Sequence, residues 1–592
     1  MKSPSSKALG LALFFLLTVA LAGIISGQSA ATSSQSTPAS LAQSSATPAA
    51  PAVSSPPPSA APPANSSGAA PASSAAPAAL APTAPVAAKL AVTPLSPALL
   101  HAQLLFRTGK FDDAIAEYNT IIAARGPDAA GAQAGLARVY LKQKKPADAF
   151  PAAQTAVQMA PDLAAAHTAL GEVYFRQGRI GEAETEFQFA NRNKRADARA
   201  YLGLNRISRA TSNYKNAKIA LDIAHQIDPD DPEIRRAWLS TLSLKDRLKA
   251  MQEYLNAGSN DDPESLEYLK HGMVVLQDEM DRPVRGCRLI TKITSTQTDL
   301  ERLMVDAKRV KGYGLKVKLN DTTSRLLLDT GASGILVNSK IAENAGVQRV
   351  VEQNVKGIGD AAGANGYVGY VDSIEIGELK FQNCYVRVVE KKSSMGEDGY
   401  IGADVFGHFL VDINFPDAKF KLSELPKPPE EPTEDASLDS HPTSTYHLRD
   451  RYIAPEMKDY TRIFRFGHTL LVPTSVNEHP YKLFLLDTGA FDDTITPEAA
   501  RETSKVYSDD RMHVKGFSGE IKNVYVADDV TLGFGHFKQR RSLVSFDMTN
   551  TSNSIGTEVS GTLGFGMLYL LDIKIDYRDG LVDFSFNPNR FH

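Results

Sequence analysis

Cysteine is scarce in this chain of 592 residues, which has two, Cys287 and Cys384. An excess of positive charge is also missing: 64 Lys and Arg stand against 68 Asp and Glu, and a net charge of −4 excludes the basic surface typical of nucleic-acid binding. The 12 histidines are scattered, without a His-Glu-x-x-His motif or a Cys/His cluster, so the sequence predicts no metal site and no cofactor. In an exported protein the two cysteines could pair, but two free thiols fit the sequence equally well.

The N-terminus begins with a long apolar run. Ala8 to Ile25 is interrupted by Thr18 and follows a start that carries two lysines. We interpret residues 1–31 as a signal peptide or an uncleaved membrane anchor, because the run is long enough to span a bilayer and Ser29 and Ala31 suit a cleavage site. Residues 32–95 are almost wholly Ala, Pro, Ser, Thr and Gln, which predicts a disordered linker. The protein is therefore expected to be exported, as a periplasmic, extracellular or outward-facing anchored protein.

Residues 96–258 contain a repeat. Small and apolar residues recur every 34 positions, as in Leu136, Leu170 and Leu204, with an earlier copy at a spacing of 35. The pattern resembles tetratricopeptide repeats (TPR): pairs of helices in which small residues allow close approach. Four copies and a capping helix around Pro232 to Leu255 are predicted, in preference to an ordinary helical bundle. The resemblance implies an α-helical solenoid whose groove binds a protein or peptide partner and does no chemistry.

A second pair of matching segments lies in the C-terminal half. Leu326 to Ala332 reads Leu-Leu-Leu-Asp-Thr-Gly-Ala, and Phe484 to Ala490 reads Phe-Leu-Leu-Asp-Thr-Gly-Ala. An aspartate at the end of a buried strand is costly unless it is paired, and two such aspartates can share one proton, so that one acts as base toward water and the other as acid toward a carbonyl. The candidate catalytic residues are Asp329 and Asp487. Their candidate supporting residues are Thr330, Gly331, Ala332, Thr488, Gly489 and Ala490.

These motifs resemble the retropepsin-like aspartic proteases, whose signature is Asp-Thr-Gly-Ala. The likeness continues in each half with a glycine-rich hairpin tip and, further on, an apolar-apolar-Gly element ending at Gly402 or Gly564. The resemblance implies a mostly β, two-lobed acid protease fold, with lobes at 312–424 and 463–592, a connector at 259–311 and an inter-lobe linker at 425–462. The flap candidates are Gly357, Ile358 and Gly359 in the first lobe and Gly516, Phe517 and Ser518 in the second.

The implied activity is hydrolysis of a polypeptide held between the lobes and beneath the flaps. Since Ala332 and Ala490 offer no hydroxyl to the carboxylates, we expect activity to peak at mildly acidic pH. Asp492 and Asp493 are most simply interpreted as solvated loop charges; the alternative is that they shape the cleft or raise the pKa of the aspartate pair by like-charge repulsion. Two alternatives stay open: a scaffold that binds peptides without cutting them, and lobes that are active only when two chains pair. In a purely structural alternative, each motif aspartate is a turn residue whose carboxylate accepts hydrogen bonds from backbone amides.

Overall fold

The structure is a computed structural model that describes residues 95–192, 197–256, 287–304, 306–355, 357–358, 364–390, 398–429, 449–509 and 513–586, together with isolated positions between 263 and 280. The predicted leader, almost all of the predicted disordered linker, Gly359 and half of the inter-lobe linker, residues 430–448, lie outside these residues. Within the described ranges no helix is long and apolar enough to cross a membrane.

Helices fill the region of the 34-residue repeat. Four pairs are followed by a shorter fifth: α1 Pro97–Arg107, α2 Phe111–Ala123, α3 Ala129–Lys142, α4 Pro146–Met159, α5 Ala164–Arg176, α6 Ile180–Ala190, α7 Ala198–Ala210, α8 Tyr214–Ile227, α9 Pro232–Leu239 and α10 Leu244–Asn256. Each of the first four pairs turns through one residue with positive φ, namely Gly109, Lys144, Gly178 and Ser212. The predicted α-helical solenoid is confirmed, and the predicted cap consists of two helices, α9 and α10.

Close helix contacts explain the small residues of the repeat. Phe187 of α6 lies between Gly171 of α5 and Gly203 of α7, and a Cβ atom on these glycines would come within 2.7 Å and 2.4 Å of its ring. Phe187 is 1% exposed. Any larger residue at either glycine would push α6 away from its neighbours.

The first lobe is a nine-stranded sheet in the order β1-β9-β6-β10-β5-β4-β8-β7, with β3 beside β4 and with β8 also paired to β9. Its strands are β1 Arg288–Leu289, β3 Glu301–Met304, β4 Val310–Leu319, β5 Thr322–Asp329, β6 Ile335–Asn338, β7 Gln348–Val355, β8 Ala364–Ile376, β9 Leu379–Val389 and β10 Gly399–Gly402. A short helix, α11 Ser339–Asn344, follows β6. Cys287 and Cys384 form a disulfide, which resolves the open question of their pairing.

The second lobe repeats this plan as an eight-stranded sheet, β14-β15-β16-β23-β17-β22-β21-β18, beside a two-stranded hairpin, β19-β20. Its strands are β14 Phe464–Phe466, β15 Thr469–Val476, β16 Lys482–Leu486, β17 Thr494–Ile495, β18 Lys505–Ser508, β19 Val514–Gly516, β20 Gly519–Ile521, β21 Val524–Phe534, β22 Phe537–Phe546 and β23 Gly561–Leu563. Its helices are α12 Pro497–Arg501, α13 Thr549–Ile555 and α14 Phe565–Leu568. The two-lobed, mostly β acid protease fold is therefore present.

Strands from both lobes join in a six-stranded sheet ordered β13-β25-β24-β11-β12-β2. It comprises β2 Ser295–Asp299, β11 Phe409–Asn414, β12 Lys419–Glu424, β13 Thr461–Arg462, β24 Asp572–Asp576 and β25 Leu581–Ser585. The central pair, β11 and β24, is antiparallel and joins one lobe to the other. Strands β1, β2 and β3 lie in the segment predicted as a connector and β13 lies in the predicted linker. The sequence Ser-Thr-Gln-Thr-Asp of β2 gives no apolar alternation from which a strand could have been predicted.

The two lobes differ on the outer face of their first hairpin. In lobe 1, the Arg325 side chain on this face is 53% exposed and pairs with Glu301 at 3.6 Å. The matching position in lobe 2, four residues before the motif aspartate, is Leu483, which is 1% exposed. Leu483 and its neighbours share an apolar cluster with Ile180 and Phe187 of α6. The helical repeats thus cover one face of lobe 2.

Candidate active site

The two motif aspartates lie at the ends of equivalent strands. Strand β5 ends at Asp329 and pairs in parallel with β10, where Gly402 lies opposite Asp329. Strand β16 ends one residue before Asp487 and pairs in parallel with β23, and the Asp487 N–H donates to Leu563 O at 3.0 Å. Each aspartate is therefore held at the end of a central strand, where its loop turns toward the other lobe.

Reciprocal hydrogen bonds between the threonines join the two loops within one chain. The Thr330 hydroxyl donates to Leu486 O at 2.8 Å and accepts from the Thr488 N–H at 3.0 Å. The Thr488 hydroxyl donates to Leu328 O at 2.9 Å and accepts from the Thr330 N–H at 3.1 Å. Both threonines are buried, at 0% and 1% exposure. This arrangement fixes the loops against each other and brings the carboxyl groups together.

The backbone of each loop orients its carboxyl group. Oδ1 of Asp329 accepts from the Gly331 and Ala332 N–H groups at 2.8 Å and 3.1 Å. Oδ1 of Asp487 likewise accepts from the two residues after Thr488, both at 2.9 Å. The interpretation as turn aspartates therefore accounts for one oxygen of each carboxyl group, which the backbone amides satisfy. The second oxygen of each group is not used by these amides, so the two carboxyl groups can still pair.

The motif glycines allow the close approach of the carboxyl groups. A Cβ atom on Gly331 would lie 2.7 Å from the carboxyl carbon of Asp487, and one on Gly489 would lie 2.4 Å from that of Asp329. Either distance is shorter than two carbon atoms can tolerate. Each glycine thus leaves room for the aspartate of the opposite lobe.

Burial and mutual repulsion change the acidity of the pair. Burial, followed by the negative charge of Asp487 and a hydrogen bond to it, raises the pKa of Asp329 well above its usual range. Burial also raises the pKa of Asp487, while hydrogen bonds from Asp329 and from the amides of Ala490 and Gly489 oppose this rise. Two adjacent carboxyl groups with raised pKa values can retain one proton between them.

The glycines at the strand ends pack directly on the loops. A Cβ atom on Gly402 would come within 2.6 Å of Ala332 O, and one on Gly564 within 2.4 Å of Asp492 O. The Gly402 N–H donates to Gly334 O at 2.7 Å. These positions therefore need glycine because backbone meets backbone there.

Two acidic residues support the loops: Asp404, which the sequence analysis did not single out, and Asp493, to which it gave a different role. In lobe 1, Asp404 accepts from the Ser333 hydroxyl and the Gly334 N–H, both at 2.9 Å. In lobe 2, the brace is Asp493 from the loop itself, which accepts from the Gly564 N–H at 2.8 Å. Comparing the lobes position by position could have found them, because Gly566 stands where lobe 1 has Asp404, and Ile335 stands where lobe 2 has Asp493.

The interpretation of Asp493 as a solvated charge is wrong. Its side chain is 0% exposed and pairs with Arg541 at 3.0 Å. Burial raises the pKa of Asp493 to about 6, against the hydrogen bond from Gly564 and the charge of Arg541. A buried charged partner was invisible in the sequence, since Arg541 lies 48 residues away. The neighbouring Asp492 is 42% exposed, as expected of a loop charge.

The flap candidates of the two lobes contact each other. The predicted residues of the second lobe lie at the turn of the β19-β20 hairpin, and Gly357 and Ile358 follow β7 of the first lobe. The Gly357 N–H donates to the Ser518 hydroxyl at 3.0 Å, and the Ser518 N–H donates to Ile358 O at 2.9 Å. The ring of Phe517 packs edge-on against Tyr400 of lobe 1, with centroids 6.3 Å apart. The described residues of the first flap are therefore hydrogen-bonded to the turn of the second.

The described residues contain no group of acidic, histidine or cysteine side chains placed to hold a metal ion. The arrangement can instead position a water molecule between two carboxyl groups that share a proton, and it can hold an extended chain beneath the two hairpins.

Comparison with known proteins finds matches in both regions. Residues 315–405 match the family model of aspartyl proteases, and residues 99–164 and 140–207 match two models of the tetratricopeptide repeat. Among similar solved structures is the aspartic proteinase from Irpex lacteus, with 10% sequence identity, a TM-score of 0.30, and coverage of 50% of this chain and 98% of that chain. No curated protein matches the sequence. The aspartyl protease model covers Asp329, while the motif around Asp487 lies beyond the matched residues.

Proposed function

We propose that this chain, which carries tetratricopeptide repeats followed by an aspartyl protease region, is an aspartic endopeptidase whose two lobes supply one catalytic pair, Asp329 and Asp487. The observation that carries the proposal is the set of reciprocal threonine hydrogen bonds, which brings the two carboxyl groups together inside a single chain. A scaffold that only bound peptides would not need two carboxyl groups held at such electrostatic cost.

In the proposed reaction the pair begins with one shared proton. The ionised carboxyl group takes a proton from a water molecule as the water attacks the peptide carbonyl carbon, and the protonated carboxyl group donates its proton to the carbonyl oxygen. The tetrahedral diol then collapses: the carboxyl group that took the proton from water gives it to the leaving nitrogen, and a hydroxyl proton of the diol passes to the other carboxyl group, which restores the shared proton. No covalent bond to the enzyme forms. Thr330 and Thr488 hold the geometry, while the amides at Gly331, Ala332, Gly489 and Ala490 keep both carboxyl groups oriented.

The test is cleavage of a peptide library by the full chain across acidic to neutral pH. Wild type should cut, and Asp329→Asn and Asp487→Asn should each lose activity by at least about a thousandfold, because either change removes half of the acid–base pair. Asp321→Asn, on the exposed turn between β4 and β5, is the matched control and should keep wild-type activity. Peptide binding by wild type without cleavage would instead support the scaffold.

The pH profile tests the same pair independently. Since both pKa values are raised, the singly protonated form should persist to mildly acidic pH, and activity should peak there. A rate still rising as the pH falls to about 2 would contradict the shared proton.

We also propose that the protein is exported and that its repeats bind a partner. Export is supported by the apolar run Ala8–Ile25 and by the Cys287–Cys384 disulfide, since disulfides persist in oxidising compartments. Thiol labelling of protein taken directly from cells, with and without reductant, tests it. Free thiols in the native protein would count against export.

For the repeats, ion pairs between different helix pairs hold the solenoid together. Arg199 of α7 pairs with Glu172 at 2.8 Å and with Asp231 at 2.8 Å, and Arg138 of α3 pairs with the same glutamate at 2.9 Å. Glu172 and Asp231 are buried, so this network stabilises the solenoid and is not itself a docking surface. The support for a partner is the match of residues 99–164 and 140–207 to the tetratricopeptide repeat.

A further inference from the structure

The helical repeats contact one particular loop of the second lobe. We name residues 547–560, which join β22 to β23 and include α13, the wall loop. The Arg176 guanidinium, at the end of α5, donates to Ser552 O at 2.9 Å and also to Asn553 Oδ1. The Thr557 hydroxyl donates to Phe175 O at 2.7 Å, and the Glu558 N–H donates to Arg176 O at 2.9 Å. Four hydrogen bonds thus attach the wall loop to a single helix end.

The contact between the end of α5 and the wall loop is buried and closely packed. Thr557 is 0% exposed, so its hydroxyl bonds to the repeats away from water. Gly178, in the turn after α5, has a φ of +73°, and a Cβ atom there would lie 3.3 Å from both Glu558 O and a methyl carbon of Leu483. Burial lowers the pKa of Arg176, whereas the charge of Glu558 opposes that shift. A charged group held in this way contributes hydrogen bonds that are stronger than average.

The wall loop in turn contacts two strands next to the Asp487 loop. The hydroxyl groups of Thr494 and Thr562 both lie 4.0 Å from the sulfur of Met548, the second residue of the loop. These threonines belong to β17, which follows the Asp487 loop, and to β23, which pairs with both β16 and β17. At its other end, the loop leads through Ser560, whose N–H donates to Leu483 O at 2.8 Å, into β23. Movement of the loop would therefore move the strand beside the catalytic aspartate.

The wall loop and the first flap contribute to the same apolar cluster. Met548 and Val559 belong to a buried apolar cluster against which Ile358, at the tip of the first flap, packs. The same cluster contains Ile180 and Phe187 of the repeats. One continuous apolar layer thus runs from helix α6 through lobe 2 to the flap tip.

We propose that the third repeat acts as a fixed support for the wall loop, with Arg176 as a positioning residue that sets the shape of the lobe 2 half of the substrate cleft. The inference rests on the proposed peptidase function. It gives the repeats a role in specificity that needs no partner, because the contact is made inside the chain.

The first measurement does not depend on activity. Hydrogen–deuterium exchange is compared for the full chain, Arg176→Ala and Arg179→Ala. Arg179 is three residues away and pairs with Glu182 of its own repeat, so it is the matched control. Arg176→Ala should raise exchange in residues 547–560 by about tenfold or more, because two hydrogen bonds from a charged donor are lost, and the control should leave it unchanged. Unchanged exchange in Arg176→Ala, or an equal rise throughout lobe 2, would overturn the proposal.

The second measurement uses the peptide library. Arg176→Ala should change residue preference on one side of the cut bond, with a rise in KM of about tenfold and a smaller change in kcat, and Arg176→Lys should restore part of it. If wild type and variant showed the same residue preference on each side of the cut bond, the specificity role would be overturned. If Arg176→Ala raises exchange in residues 547–560 while the wild-type protein cuts no peptide, the peptidase function is refuted and the supporting role of the repeat remains.

Discussion

Removing one threonine hydroxyl from the active-site loops should destabilise the joint between the lobes. Thr330→Val replaces that hydroxyl with a methyl group of similar size. Two hydrogen bonds are lost, one to Leu486 O at 2.8 Å and one from the Thr488 N–H at 3.0 Å. Each contributes about 1 kcal/mol net, and leaving the buried N–H unpaired costs a further ~1–3 kcal/mol. The expected loss, about 3–5 kcal/mol, is large against a typical stability of about 5–15 kcal/mol.

The assay is native-state hydrogen exchange of peptides that cover β5 and β16, because it reports the free energy of opening at these strands without signal from the helical repeats. Thr330→Ser is the control: it keeps the hydroxyl and loses one methyl group, which costs about 1 kcal/mol. Thr488→Val should match Thr330→Val, since its hydroxyl makes the other two bonds. If the valine and serine variants opened with the same free energy, the reciprocal bonds would not be what joins the loops.

Three further predictions concern the lobe surfaces, the joining sheet and the flaps. Leu483→Arg should destabilise lobe 2 by about 3–5 kcal/mol in chemical unfolding, because it buries a charge beneath the repeats, while the reverse change in lobe 1, Arg325→Leu, should stay within about 0.5 kcal/mol. In the joining sheet, burial and the carboxyl group of Asp412 raise the pKa of Asp572 to about 7. Its stabilising effect is complete below its unfolded pKa of about 4 and is lost as the pH rises toward 7, so Asp572→Asn should raise the melting temperature more at pH about 7.5 than at about 4. Phe517→Ala should raise hydrogen exchange at both flap tips about tenfold, and unchanged exchange would show that the ring does not hold the flaps together.

Repetition in the sequence predicted more than composition did. The 34-residue spacing predicted the solenoid, and the duplicated Asp-Thr-Gly-Ala motif predicted the two lobes, because both patterns repeat the same local structure. The support at Asp493 was missed because it depends on Arg541, a partner distant in the chain. The docking of the repeats was missed for a different reason: Leu483 reads as one more apolar residue in a buried strand, and only its counterpart Arg325 shows that the face needs a cover.

Two features near the edges of the predicted regions could not be predicted from the sequence, also for physical reasons. Strand β2 is polar because it lies at the edge of the joining sheet, beside β12, so its residues carry no apolar alternation. The pairing of Cys287 with Cys384 depends on the antiparallel contact between β1 and β9. Strand β1 has two residues, which is too short for a sequence pattern from which this contact could be predicted.

The disulfide between Cys287 and Cys384 closes a covalent ring around most of the first lobe. The ring spans 97 positions and includes Asp329 and the first flap. A single backbone cut inside it, by any protease, would leave two pieces that still migrate together on a non-reducing gel and separate only after reduction. Damage to the first half of the active site would therefore not release a fragment, whereas the second lobe has no such bond because the chain has no other cysteine.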